Sequence, residues 1–152
     1  MTKILMVCLG NICRSPLAHG ILESMLPPDQ FYVDSAGTGN YHIGSPPDHR
    51  SIKVAKKYGI DISKQQCRQF QASDFDRFDY IFVMDASNLQ NVKRLARNSY
   101  DIAKIRLILN PELNGLSEVP DPYYGDDSDF EKVFHLLNDA CTYISDELQE
   151  LH

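Results

Sequence analysis

The start of the chain carries the feature that most constrains its fold, because an apolar run, a tight loop and an amphipathic segment follow one another there. The run Ile4–Val7 is continuously apolar, which is typical of a strand buried on both faces of a parallel sheet. The loop Cys8–Ser15 contains Gly10 and Asn11, the two residue types that best tolerate unusual backbone angles. Pro16 suits the first turn of a helix, where its missing N–H is no loss. The sequence therefore predicts a strand, a tight loop and a helix in this order.

The same loop carries side chains suited to nucleophilic chemistry on an anion. It begins with Cys8 and ends with Arg14 and Ser15. Backbone N–H groups of a loop wrapped before a helix N-terminus form a concavity that binds anions. An arginine and a helix N-terminus both favour the thiolate form of a nearby cysteine, and a guanidinium can grip two phosphoryl oxygens. A lone cysteine is more often a small buried residue, but the spacing Cys-x5-Arg-Ser favours a catalytic nucleophile.

This loop resembles the phosphate-binding loop of the low-molecular-weight protein tyrosine phosphatases. Other segments resemble the same family in the family's order: Ser35–Thr38, Pro47–Arg50, Asp79–Asp85, Asn88 and Asp121–Gly125. The resemblance covers nearly the whole chain. It implies hydrolysis of phosphotyrosine and small aryl phosphates through a covalent phosphocysteine.

The hydrophobic pattern predicts alternating strands and helices over residues 1–152. Strands are predicted at 3–7, 31–34, 80–84 and 105–109, and helices at 15–26, 48–58, 87–97 and 130–151. Such alternation indicates an α/β domain with a parallel sheet and helices on both faces. The resemblance implies a single domain with three α/β/α layers, a four-stranded sheet, and the phosphate-binding loop between the first strand and the first helix. Ligands in such sheets bind beyond the carboxyl ends of the strands.

Two loops are expected to reach that edge of the sheet. The Gly-rich stretch 35–40 is interpreted as a turn that brings Tyr41 towards the cleft, and 110–129 as a long functional loop. An aryl phosphate needs a proton for its departing oxygen, and a positioned acid contributes about 10²–10⁴ in rate. Asp121-Pro122 alone is a common turn, but the family carries its general acid at this Asp-Pro. The resemblance therefore assigns the proton transfers to Asp121.

Three tyrosines are predicted to wall a slot for a phenyl ring: Tyr41, Tyr123 and Tyr124. A deep slot would keep the shorter phosphoserine from reaching Cys8. The family has an aromatic residue that shapes substrate preference at the position of Tyr41. Tyr123 and Tyr124 match tyrosines that kinases phosphorylate, which suggests a tyrosine kinase as a regulatory partner besides the tyrosine-phosphorylated protein substrate.

The remaining substrate contacts are predicted in the loop itself, at Leu9, Gly10, Asn11, Ile12 and Cys13. Backbone amides here would hold the phosphoryl oxygens together with Arg14. Asn11 is expected to brace the loop with its side chain. The histidine that supports this Asn in many family members is absent near residues 64–66, so Gln65 or Gln66 is the suggested replacement. The resemblance also suggests that Cys13 forms a reversible disulfide with oxidised Cys8.

Composition excludes several other classes of protein. The formal net charge of −6 over 152 residues argues against broad binding of nucleic acid or anionic membranes. The apolar runs are too short for a membrane span, and the early strand leaves no room for a signal peptide. Four cysteines without a disulfide-framework spacing indicate a reducing, cytoplasmic setting. The five histidines show no metal-ligand spacing, so neither a metal nor a cofactor is predicted.

Three alternative functions use the same loop. Thioredoxin-linked arsenate reductases need two further cysteines on a mobile segment, whereas Cys67 and Cys141 lie far apart in this sequence. Protein-arginine phosphatases carry a small polar residue where Ile12 stands. A non-catalytic anion-binding redox sensor would use Cys8 and Cys13 without turnover. Ile12 with Tyr123 and Tyr124 fits an aryl phosphate better than the substrates of the other two enzymes, and the presence of Cys8, Arg14 and Asp121 favours catalysis over sensing.

Overall fold

A computed structural model describes residues 1–152 and contains one four-stranded parallel sheet with the strand order β2-β1-β3-β4. The strands are β1 Thr2–Cys8, β2 Phe31–Gly37, β3 Tyr80–Val83 and β4 Ile105–Leu107. The helices are α1 Arg14–Met25, α2 His49–Lys57, α3 Asp74–Arg77, α4 Ala86–Leu95, α5 Ser99–Ala103, α6 Pro111–Asn114 and α7 Asp127–Leu151. The predicted fold class, the four parallel strands, and the loop between the first strand and the first helix are confirmed.

The core lies on both faces of β1, which is a central strand. Ile4 and Met6 point into a cluster of 27 buried residues that the sheet shares with α1, α2 and α7. Leu5 and Val7 point the other way, into a cluster of 10 buried residues that includes side chains of α3 and α4. All four side chains are fully buried, and each stabilises the fold by about 1.5–3 kcal/mol. The continuous apolar run therefore fixes β1 as the strand around which both layers of helices pack.

The long helix α7 closes the larger core. Its N-terminus is held by a capping box, in which Asp126 accepts from the amide of Asp129 and the carboxylate of Asp129 accepts from the amide of Asp126. Its apolar face packs across α1 and α2. The residues predicted at helical spacing are buried there: Val133, Phe134, Leu137, Ala140, Cys141, Ile144 and Leu148.

None of the helices combines the length and the hydrophobicity needed to cross a bilayer.

The second strand is longer than predicted. Ser35, Ala36 and Gly37 continue β2 and pair with the last three residues of β1, so interpreting the whole stretch 35–40 as a turn was wrong. Pairing with β1 overrides the turn preference of these small residues. Gly37 is required here, because a Cβ at this position would lie 2.8 Å from the carbonyl oxygen of Leu9. The glycine lets β2 run close beneath the loop that follows β1.

Three short helices lie outside the predicted elements. α3, α5 and α6 have only four or five residues each, which is too short for an apolar periodicity to show in the sequence. α6 occupies the beginning of the stretch predicted as a long loop and ends at Gly115, which has a φ of 77°. The remainder, 115–126, is irregular and carries Asp121 to the carboxyl edge of the sheet.

Candidate active site

The loop between β1 and α1 forms the floor of the candidate site. Cys8 is the last residue of β1 and Arg14 the first of α1, so the loop closes within five residues. Asn11 has a φ of 56° and is the only non-glycine residue with a positive φ. This left-handed conformation, which Asn tolerates better than most residues, turns the chain sharply enough to wrap the loop around the sulfur of Cys8.

The sulfur of Cys8 receives hydrogen bonds from inside the loop. It lies 3.0 Å from the hydroxyl oxygen of Ser15 and accepts from the amide of Asn11 at 3.3 Å. The side-chain amide of Asn11 donates to the same hydroxyl oxygen at 2.8 Å. Because that oxygen accepts from Asn11, Ser15 can direct its own proton to the sulfur at 3.0 Å, which is nearer than its other acceptor, the carbonyl oxygen of Ala36 at 3.5 Å. Ser15 is fully buried, so this arrangement stabilises negative charge on Cys8 without competition from water.

Main-chain and thiol groups brace Asn11 from behind. Its side-chain oxygen accepts from the backbone amide of Arg68 at 3.0 Å, and its carbonyl oxygen accepts from the thiol of Cys67 at 2.7 Å. Gln65 instead donates to the carbonyl oxygen of Pro16 at 3.2 Å, and Gln66 is exposed. The suggestion that Gln65 or Gln66 supports Asn11 was therefore wrong. The amide of Arg68 lies here because Gln69 forms a bridge to Gly37, a contact that side-chain types do not reveal.

Arg14 is buried and fixed by two other parts of the chain. Its Nη1 donates to Oδ2 of Asp85 at 2.7 Å and to the carbonyl oxygen of Val119 at 2.9 Å. Its Nη2 lies 3.7 Å from Oδ2 of Asp121. Burial opposes the charge of Arg14, but the negative charges of Cys8, Asp85 and Asp121 outweigh it and raise its pKa. The guanidinium is thus a permanent cation at the base of the site.

Asp85 holds Arg14 in the site but was not predicted as a site residue. It follows β3 and does cap α4, because its Oδ1 accepts from the amide of Asn88 at 2.8 Å. Its second oxygen holds Arg14. The signal available in the sequence was its position directly beyond a predicted buried strand, at the same edge of the sheet as Cys8.

A cleft of about 400 Å³ opens above the loop. It is lined by Cys8, Leu9, Gly10, Ile12, Cys13, Arg14, Tyr41, His42, Asp121, Tyr123 and Tyr124. Ten of the twelve predicted site residues are among these. The other two, Asn11 and Ser15, are buried members of the same loop and contact the sulfur of Cys8. His42 was not predicted; its ring meets that of Tyr41 edge to face, with 6.5 Å between centroids.

Asp121 reaches the cleft from the irregular segment before α7. Its Oδ1 accepts from the amide of Tyr123 at 3.1 Å, which forms a local turn, and its side chain is 45% exposed. The rings of Tyr123 and Tyr124 meet edge to face at 5.0 Å. Tyr123 is partly covered, whereas Tyr124 is 97% exposed. A carboxyl group therefore shares the lining of the cleft with an aromatic pair and with Tyr41.

Cys13 also lines the cleft, where its surroundings oppose ionisation of its thiol. Burial raises the pKa of the Cys13 thiol strongly, and the negative charge of Asp48 adds to the effect. Cys13 is therefore a neutral thiol at neutral pH. The four cysteines are all unpaired, and the disulfide between Cys8 and Cys13 stays a prediction.

Comparisons with known proteins agree with this geometry over nearly the whole chain. The family model described as "Low molecular weight phosphotyrosine protein phosphatase" matches residues 3–152. A human protein of that name is 41% identical, over 91% of this chain and 90% of its own. The "Low molecular weight protein-tyrosine-phosphatase YfkJ" of Bacillus subtilis is 36% identical over 99% of this chain and 97% of its own.

Solved structures are also similar to this fold. The crystal structure of a protein tyrosine phosphatase from Entamoeba histolytica, with Hepes in the active site, superposes with a TM-score of 0.92; it is 37% identical, and the match covers 99% of this chain and 98% of that one. The Wzb protein of Vibrio vulnificus, in complex with benzylphosphonate, superposes with a TM-score of 0.86 at 29% identity, over 96% of this chain and 98% of that one.

Proposed function

This chain belongs to the low molecular weight phosphotyrosine protein phosphatase family and is a protein tyrosine phosphatase, and we propose that Cys8, Arg14, Ser15 and Asp121 carry out its reaction. The observation that supports this assignment is the convergence at Cys8. Its sulfur accepts from Asn11, faces the hydroxyl of Ser15, and shares a cleft with a cation and a carboxyl group. These are the groups that an in-line displacement on phosphorus requires.

In the first half-reaction the thiolate of Cys8 attacks phosphorus and forms an S–P bond. The P–O bond to the aryl group breaks, its electron pair goes to the departing oxygen, and protonated Asp121 gives that oxygen a proton. Arg14 and the loop amides of residues 9–15 hold the three equatorial oxygens, where the transition-state charge is spread. The products are a phenol, the phosphocysteine and an ionised Asp121.

In the second half-reaction ionised Asp121 takes a proton from a water molecule. The water oxygen attacks phosphorus, the S–P bond breaks, and its electron pair returns to the sulfur of Cys8. The hydroxyl of Ser15, 3.0 Å from that sulfur, donates to the leaving thiolate. Inorganic phosphate departs with Cys8 as thiolate and Asp121 protonated, so the cycle balances without a metal or a cofactor.

We propose that the substrate is a phosphotyrosine side chain on a protein. The cleft is lined by Ile12 and three tyrosines, which suit a phenyl ring better than a short alkyl phosphate. The related Wzb protein of Vibrio vulnificus was crystallised with benzylphosphonate, which joins an aromatic ring to a phosphonate. Leu9, Tyr41, Tyr123 and Tyr124 are exposed around the mouth, where they would contact the polypeptide that carries the phosphotyrosine.

A tyrosine kinase that modifies Tyr123 or Tyr124 remains part of this proposal. Tyr124 is almost fully exposed, as a kinase substrate must be. Kinase treatment should add phosphate to the wild type. An unchanged phosphate content after Phe replacement of both tyrosines would refute their modification by the kinase.

We also propose a cytoplasmic location, which the four unpaired cysteines support. The net charge of −6 supports a partner set without nucleic acid or membranes.

The alternatives on the same fold are not favoured. An arsenate reductase relay would need accessible cysteines, but Cys67 and Cys141 are both buried. Cys141 lies in α7 with its thiol towards the carbonyl oxygen of Ala18. A protein-arginine phosphatase would carry a small polar residue at the position of Ile12, which lines the cleft here.

The test is hydrolysis of p-nitrophenyl phosphate in EDTA by the wild type, Cys8→Ser and Asp121→Ala, with an acid quench that traps phosphoenzyme. We expect turnover by the wild type, none by Cys8→Ser, and a kcat for Asp121→Ala that is lower by about 10²-fold or more, because hydrolysis of the phosphocysteine needs Asp121 as its base whatever the leaving group. Phosphate or vanadate binding without turnover would favour the redox-sensor alternative. Activity that survives Cys8→Ser would refute the assigned nucleophile.

A further inference from the structure

Arg50, the second residue of α2, connects three separate parts of the chain. Its guanidinium makes a fork onto the carboxylate of Asp48, with Nε to Oδ1 and Nη2 to Oδ2 both at 3.0 Å. Nη2 also donates to the carbonyl oxygen of Tyr123 at 2.9 Å, and Nη1 to that of Gly125 at 3.0 Å. The planar group lies 4.4 Å from the ring centroid of Phe130, at the start of α7.

The segment 121–125, which carries Asp121, buries Pro122 but makes few hydrogen bonds to the rest of the chain. Two hydrogen bonds lie within it, from the amide of Tyr123 to Asp121 and from the amide of Gly125 to the carbonyl of Pro122. The two bonds from Arg50 are its only hydrogen bonds to another part of the chain. Asp121 itself meets Arg14 only as an ion pair at 3.7 Å. Val119 anchors the chain before Asp121 through bonds with Met84 and Arg14, and the two carbonyls that Arg50 holds anchor it after Asp121.

The other end of this connection is tied to the phosphate-binding loop. The amide of Asp48 donates to the carbonyl oxygen of Ile12 at 2.8 Å, and Ile12 lines the cleft beside Cys8. Burial opposes ionisation of Asp48, but its hydrogen bonds from Arg50 outweigh burial and lower its pKa. The carboxylate of Asp48 is therefore ionised, and it orients the guanidinium of Arg50. The path from Ile12 through Asp48 and Arg50 to Tyr123 joins the loop of the nucleophile to the segment of the acid.

We propose that Arg50 is a positioning residue that holds Asp121 where it can protonate the departing oxygen. This inference rests on the proposed function, because it assumes that Asp121 is the acid. Arg50 is not among the residues that line the cleft, so it acts through Asp121 and not on the substrate. Small displacements of a catalytic group are costly, since about 1 Å can reduce a rate 10²-fold.

The proposal predicts a specific dependence on the leaving group. A poor leaving group needs the proton from Asp121, whereas p-nitrophenolate departs with little help. We therefore measure kcat/KM, which reports the step that forms phosphocysteine, for p-nitrophenyl, phenyl and 4-methoxyphenyl phosphates. Arg50→Met should lower kcat/KM at least about tenfold for phenyl phosphate but less than about threefold for p-nitrophenyl phosphate. When Asp121 is already replaced by Ala, adding Arg50→Met should not make kcat/KM depend more steeply on the leaving group.

Lys53→Met is the matched control. Lys53 lies on the same helix and pairs with Asp127 of α7 at 2.9 Å on the surface, so its loss removes an ion pair between the same two helices without touching the acid segment. It should leave the leaving-group dependence unchanged. If Arg50→Met does not fold, Arg50→Lys provides the same test, because a single ammonium cannot replace the fork and both carbonyl bonds.

The outcomes separate this proposal from the function on which it rests. A fall in kcat/KM that is equal for all leaving groups, or no fall, would overturn the role of Arg50 while leaving the phosphatase mechanism in place. A further steepening by Arg50→Met when Asp121 is already absent would also overturn it. Absence of turnover in the wild type, or activity in Cys8→Ser, would instead refute the assigned reaction.

Discussion

Asp85 holds Arg14 through a hydrogen bond of 2.7 Å between Oδ2 and Nη1, although the two residues are 71 positions apart in the sequence. The other oxygen of Asp85 caps α4. One carboxylate thus fixes both the start of a helix and the cation of the phosphate site. Arg14 has Nη2 left to face the cleft, where it lies near Asp121.

Substitutions at Asp85 should separate these two roles. Asp85→Asn keeps an oxygen for the helix cap but can turn an NH₂ group towards Arg14, so the buried guanidinium loses its anionic partner. We expect kcat/KM to fall about tenfold or more, consistent with loss of a charge-assisted hydrogen bond of about 1.5–3 kcal/mol. Asp85→Ala should in addition lose about 1 kcal/mol of folding stability through the missing cap. Steady-state kinetics and urea unfolding measure the two effects; equal stability of both variants would contradict the double role.

Gly37 should tolerate no side chain. A Cβ there would lie 2.8 Å from the carbonyl oxygen of Leu9 and 3.0 Å from the amide nitrogen of Asn11, both backbone atoms of the phosphate-binding loop. We expect Gly37→Ala to shift the loop and to lower the affinity for vanadate, measured as inhibition of p-nitrophenyl phosphate hydrolysis, by about tenfold or more. Gly10→Ala is the comparison, because its Cβ would meet the side chain of His42 at 3.3 Å, which can move. A larger loss of vanadate affinity in Gly10→Ala than in Gly37→Ala would contradict this prediction.

Cys67 should matter as a hydrogen-bond donor. Burial raises the pKa of its thiol to about 11, so at neutral pH it keeps the proton that it donates to the carbonyl oxygen of Asn11. Cys67→Ala leaves that buried carbonyl without this donor, which costs about 1–3 kcal/mol of stability. Cys67→Ser retains a donor and should lose less in both unfolding free energy and kcat/KM. Equal losses for Ala and Ser would mean that the site needs only the volume of the thiol.

The sequence sufficed for those parts of the site that are continuous in the chain. Cys8, Arg14 and Ser15 lie in one loop between a strand and a helix, so their spacing already indicated their proximity. Arg50 and Asp85 could not be identified in this way, because their partners at Tyr123 and Arg14 are 73 and 71 residues distant. Such contacts depend on how α2 and β3 pack, which local patterns do not encode.

The same distinction explains which elements of the fold could be predicted from the sequence. β1 and α7 were predictable because continuous or periodic apolar residues mark them, and both are buried accordingly. The extension of β2 through Gly37 was not, since a small-residue stretch favours a turn until β1 is available to pair with it. The backbone amide of Arg68 supports Asn11 for a similar reason. Any residue type could supply that amide, so no side-chain pattern can indicate it.

The buried thiols should make the protein less stable at alkaline pH. Burial raises the pKa of Cys141 to about 12 and that of Cys67 to about 11, and it raises that of Cys13 as well. In the unfolded chain a cysteine ionises near pH 8.5, so above this pH the unfolded state releases protons that the folded state retains. The contribution of the buried thiols to stability is therefore fully present below about pH 8.5 and decreases as the pH rises towards their pKa values in the folded state.

Cys141 allows this effect to be measured away from the active site. It is fully buried in α7, and each such thiol should lower the free energy of unfolding by about 1 kcal/mol between pH 8 and pH 9.5. Urea unfolding of the wild type and Cys141→Val in reductant, at both pH values, gives the difference. Valine cannot ionise, so the variant should lose about 1 kcal/mol less than the wild type over this range, whatever its stability at pH 8. The same decrease in both proteins would mean that Cys141 ionises as readily in the folded state as in the unfolded one.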